Sequence, residues 1–135
     1  MAMVAIFVAW SVMDFVIHQL ILGDDYAATA NMWRPMEEMK MELMYAVVAF
    51  TAFVFVYIYS RFFADRSVHS GVMFGILFGL CTGFSMGYGT YAVQPLPHDV
   101  ALTWFIGTTI EGAVAGLLVG AIVKPVADNA ANSRI

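Results

Sequence analysis

The chain has 135 residues, 61% of them hydrophobic and 12% charged, with a mean hydropathy of +0.80; an ordinary soluble domain carries roughly twice that charged fraction. This is the composition of an integral membrane protein, and its apolar stretches leave little chain for a separate aqueous domain. Six basic residues against ten acidic ones exclude the Lys and Arg clusters that phosphate binding needs, so no nucleic-acid partner is expected. The lone cysteine, Cys81, precludes an intrachain disulfide.

Residues 3–22 are almost continuously apolar and, at 1.5 Å per residue, cover roughly 30 Å, the thickness of a bilayer's hydrocarbon core. They read as the first membrane helix. A secretory leader is the competing reading, but there is no basic leading region and no small-residue cleavage site, and Asp14 sits in the middle. Residues 23–34 (GDDYAATANMWR) are too polar to span. They suit a short interfacial helix beginning at Asp24 or Asp25, with Tyr26 and Trp33 at the lipid–water boundary. A second helix is expected over residues 35–63, with Pro35 in a first helical position and Glu37 and Glu38 in a turn where carboxylates complement the helix dipole. The third helix is expected over 70–92 and the fourth over 99–123, ended by Lys124 and Pro125. The connection QPLPH is too short and too proline-rich for anything but antiparallel neighbours. The fold expected is therefore an all-α, polytopic antiparallel bundle of four transmembrane helices over residues 1–125, followed by a polar tail at 126–135 with no apolar face to bury.

Cations set the expected orientation. Arg61, Arg66, Lys124 and Arg134 fall on one side; the other has only Arg34 and Lys40 amid Asp24, Asp25, Glu37, Glu38 and Glu42. The positive-inside rule then puts both termini in the cytoplasm, the protein being a multi-pass component of the inner membrane.

The third helix carries Gly71, Gly75, Gly79, Gly83 and Gly87, spaced by four, and the fourth carries Thr108, Gly112, Gly116 and Gly120. Lipid tails are as apolar as leucine, so membrane helices associate by close backbone approach, which a glycine zipper of this kind permits. The two files either pack on each other or give one face to a second protomer or another membrane subunit. The second helix, AVVAFTAFVFVYIY over 46–59, has no such file and should face lipid or a partner.

Three ionisable residues fall inside expected spans: Asp14, His18 and Glu111. A charge at a helix centre costs about 2.5 to 3.5 kcal/mol on insertion scales, so such groups turn to the bundle interior and find partners. Asp14 and His18, four apart, share one helix face, with Trp10 and Ser11 a turn further along. Counted from the acidic side, His18 lies roughly 6 Å deep, Asp14 roughly 12 Å and Glu111 roughly 18 Å. The series fits either a buried network that fixes helix register or a proton path, cation site or small polar pocket.

Two ligand sets compete with that reading. Met32, Met36, Met39, Met41 and Met44 lie beside acidic residues and invite copper, since thioethers select Cu(I), although methionine is also ordinary apolar filler. His18 and His98, near the same surface, could hold a haem. No cofactor is expected from either set. No nucleophile elbow, phosphate loop or zinc-protease helix is present, which points away from an enzyme.

The run Tyr26-Ala-Ala-Thr29-Ala-Asn-Met-Trp33-Arg34-Pro35, after His18, together with Tyr91-Ala-Val-Gln94-Pro95-Leu-Pro97 and Trp104-Phe105, resembles small four-helix bacterial inner-membrane proteins. The resemblance implies a polytopic membrane protein and carries over no chemistry and no site residue. The function expected is that of a non-enzymatic small subunit or a self-associating protein. The alternatives are a small proton, cation or polar-solute transporter or channel using Asp14, His18 and Glu111, and a haem- or copper-binding redox subunit.

Overall fold

The computed structural model describes residues 1–124, all of whose regular elements are helical. α1 (Ala2–Phe15) runs on into a π-helical stretch, Val16–Ile21. A short α2 (Gly23–Ala28) and two 3₁₀ turns, Ala30–Met32 and Met36–Glu38, lead to α3 (Met41–Phe62), α4 (Val68–Val93) and α5 (His98–Ile122). Four stretches, Ala2–Ile21, Met41–Phe62, Val68–Val93 and His98–Ile122, are long and apolar enough to cross a bilayer. The chain is an all-α polytopic bundle. The polar tail at 126–135, the helix stop at Pro125 and Arg134 lie outside the described residues.

α4 and α5 form the tightest pair, and the reason is steric. A side-chain carbon on Gly79 would stand 2.7 Å from the carbonyl oxygen of Thr108, and one on Gly120 would stand 2.7 Å from that of Ser67. Gly75 and Gly112 each lie against the other's carbonyl oxygen. Gly71, Gly75, Gly79, Gly83 and Gly87 are all buried on this seam, as are Gly112, Gly116 and Gly120 opposite them. Each glycine face is thus filled by the other helix, and a further helix would have to approach a different surface. Ser67 caps α4 reciprocally with Ser70, and Tyr59 donates its hydroxyl to the Ser67 carbonyl at 2.7 Å, tying the end of α3 to the start of α4.

α1 crosses α5 and α3. Ile6 and Trp10 meet Ala52, Phe55 and Tyr59 of α3 and Ala115 and Val119 of α5, with Phe74 and Phe78 of α4 packed alongside. This core fills the half of the bundle next to Arg61, Arg66 and Lys124, the basic end. Towards the opposite, acidic end α3 loses its packing: Ala52, Phe55 and Tyr59 are its buried residues, whereas Leu43, Met44, Val47 and Phe50 are exposed. A second, smaller core of Leu22, Leu96, Val100 and Ala101 closes the acidic end over α5, with Tyr26, Met32, Trp33 and Trp104 packed on it.

Two expectations need correction. The second long helix starts at Met41, not at Pro35: Pro35 (φ −51°, ψ 147°) and Met39 (φ −66°, ψ 129°) are extended. Packing of Trp33 on α5 holds the chain across the mouth of the bundle, so residues 35–40 bridge to α3 instead of prolonging it. The first helix is not α-helical throughout; its last six residues, which include His18, have π geometry. α4 and α5 begin and end within two residues of the expected positions.

Candidate functional site

Where α3 parts from the bundle, a cavity of about 930 Å³ opens at the acidic end. Asp14 and His18 of the first span and Glu111 of α5 all line it. Trp10 and Phe78 belong both to its lining and to the packed core, so they mark its floor. The segment 23–39 roofs it through Tyr26, Trp33 and Met36, with the exposed Arg34 at the rim. Met44, Val47, Val48 and Thr51 supply the α3 wall.

A polar chain runs down one side. Trp104 donates its indole N–H to the Tyr26 oxygen at 2.7 Å, and Nδ1 of His18 lies 2.6 Å from that oxygen. Since the Tyr26 oxygen accepts from Trp104, its own proton is free to point at Nδ1, which leaves the His18 N–H on Nε2. Nε2 faces Asp14 Oδ1 at 3.9 Å, beyond hydrogen-bond length and a separation that a bridging water suits. Glu111 lines the same cavity as Asp14. Glu111 Oε1 is buried without a hydrogen-bond partner, although the Glu111 backbone carbonyl accepts the Trp10 indole N–H at 2.9 Å.

Local sequence explains how these groups are held. The π-helical stretch carrying His18 widens the turn between Asp14 and α2, a distortion frequent at functional sites. His18 stacks on Tyr26 with ring centres 5.8 Å apart, and Trp33 meets Tyr26 edge-on at 5.2 Å and Trp104 at 6.2 Å. Thr29 fixes the roof by accepting the Trp33 N–H at 2.9 Å and donating to the Asp25 carbonyl at 2.7 Å. Burial pushes the Tyr26 hydroxyl up to about 12, with the nearby Asp25 charge adding to the shift and the Trp104 hydrogen bond opposing it.

The structure therefore brings Asp14, His18 and Glu111 to one space. It does not bring His18 and His98 there together. His98 stands outside the cavity against Tyr88, 3.4 Å from its hydroxyl, and edge-on to Tyr91. The methionines weighed as copper ligands divide: Met36, Met39 and Met44 line the cavity, Met32 packs in the acidic-end core and Met41 is exposed. Among the described residues no group of three or more His, Cys, Asp or Glu is arranged to hold a metal. Sequence reasoning passed over Trp104 and Thr108 as cavity residues. Their spacing to Glu111, at i, i+4 and i+7 on one helix face, was the available signal.

Comparison of the chain with protein families, with curated proteins and with solved structures finds no match.

Proposed function

We propose that this multi-pass membrane protein works without catalysis, as a carrier-like protein whose cavity receives a small solute from the acidic end. The observation that supports this most is the convergence of Asp14, His18 and Glu111 on one cavity of about 930 Å³, within the range of sites that enclose small ligands. A cluster serving only helix register would close on itself. Here the Asp14–His18 gap is 3.9 Å and a Glu111 oxygen has no partner. Below Trp10 and Phe78 the packed core blocks further passage, which suits a site loaded from one side and emptied after rearrangement better than an open pore. The charge distribution supports an inner-membrane orientation with the acidic end away from the cytoplasm.

The test is sided accessibility. With Cys81 replaced by Ser, Thr108→Cys should react with a membrane-impermeant thiol reagent added at the acidic end of proteoliposomes, and not from the basic end. A Thr108→Cys protein inert from both ends would refute the reading.

A role as subunit or self-associating protein has its own support in the outward face of α3, where Tyr45, Phe50, Phe53 and Tyr57 are exposed. That face, and not the glycine seam, would meet the partner. Native mass spectrometry from membrane extracts tests it: a lone monomer under all mild conditions speaks against the partner.

A further inference from the structure

We propose, building on the reading of the cavity as a solute site, that its ligand class is a lipophilic organic cation, such as a quaternary ammonium or phosphonium ion with apolar arms.

Three features of the cavity point to this chemistry. Its ionisable groups at depth are acidic: Asp14 and Glu111 both line the cavity below the roof, while Arg34, the cation among its lining residues, is exposed at the rim. Its walls are aromatic, and Trp10, Trp33 and Trp104 are all the tryptophans of the chain. Indole and phenol faces attract a cation lying within about 6 Å and are the usual partners of quaternary ammonium groups. The rest is apolar and adaptable, with Met36, Met39, Met44 and Met86 able to re-pack around arms of different shape.

A bare metal ion fits less well. Ca²⁺ takes about six to eight oxygen ligands, whereas the carboxyls in this cavity are those of Asp14 and Glu111, and among the described residues no group of three or more His, Cys, Asp or Glu is arranged to hold a metal. An organic cation needs no oxygen shell. It needs only a diffuse countercharge and an apolar surface, and the opening at the acidic end gives it a way in.

Intrinsic fluorescence tests the assignment directly, because every tryptophan reports on this cavity. The full chain in zwitterionic-lipid nanodiscs is titrated with tetraphenylphosphonium, with uncharged triphenylphosphine oxide and with tetraphenylborate. The expected result is saturable quenching by the phosphonium, about ten-fold tighter or more than by the uncharged compound, and weakened by a similar factor in Asp14→Asn/Glu111→Gln. The exposed-site control Phe50→Ala should bind as the parent does, and if the double variant does not fold, Asp14→Asn alone serves. Equal binding of charged and uncharged compounds, or preference for the borate, overturns the cation assignment and leaves the solute cavity standing. No saturable quenching by any of the three overturns the cation assignment too. Whether the solute reading falls with it is decided separately by Thr108→Cys labelling.

Discussion

Trp10 donates its indole N–H to the backbone carbonyl of Glu111 across 2.9 Å, joining α1 to α5 at the level where cavity gives way to packed core. The contact restrains the first span against the helix that carries the deepest carboxyl. Replacing Trp10 by Phe keeps an aromatic ring near Phe55 and removes the donor. Side-chain hydrogen bonds inside membranes are worth about 0.6 kcal/mol on average, so Trp10→Phe is expected to lower stability by about 0.5 to 1 kcal/mol in a reversible denaturant titration in mixed micelles. A loss several times larger would mean that the ring's packing dominates.

The glycine seam makes a sharper contrast. Gly75 lies against the Gly112 carbonyl with no room for a methyl group, whereas a side-chain carbon on Gly89 would meet nothing within 4 Å. Gly75→Ala must push two backbones apart and should cost about 1 to 3 kcal/mol, as overpacking does. Gly89→Ala, in the same helix, should be neutral or stabilising by up to about 1 kcal/mol through helix propensity. Melting curves of the two variants side by side check this, and equal effects would contradict the observed seam.

Span number, the limits of α4 and α5 and the intramembrane ionisable residues were legible because each follows from a local rule: hydropathy over a bilayer's length, the prolines between α4 and α5, and the cost of Asp14 and Glu111 in lipid. The glycine spacing likewise disclosed a close-packing face without naming its partner. Illegible were the features decided by tertiary contact. Nothing local marks the π turn at His18, since Val16–Ile21 is as good an α-helical sequence as the residues before it. Nor does Pro35 reveal that Trp33 will anchor on Trp104 of a distant helix and hold residues 35–40 away from α3. The cavity arises from that same divergence, so its roof could be named from sequence only as interfacial aromatics.

Tyr26 provides a pH signature at the roof. Its hydroxyl is pushed up to about 12 from 10.0, first by burial. Between those values the unfolded chain releases this proton and the folded chain retains it. The native state then binds more protons, and stability falls as pH rises through that window. Tyrosinate absorbance should show a late-titrating component, and Tyr26→Phe should remove it while flattening the loss of stability. An unchanged titration in the variant would place the shift elsewhere.

Glu111 should show the opposition between stability and function that a binding site imposes. Its Oε1 is buried with no partner and it shares the cavity lining with Asp14, an arrangement that packing alone does not favour. Glu111→Met is close in volume and removes the unsatisfied oxygen without touching the backbone carbonyl that Trp10 uses. We expect it to raise stability by about 0.5 to 2 kcal/mol, the range typical when a functional but strained group is replaced, and at the same time to weaken phosphonium quenching, by no more than the roughly ten-fold loss expected when both carboxyls are removed. If Glu111→Met instead lowered the melting temperature, the carboxyl would be holding the bundle together and the case for a binding role at this residue would fail.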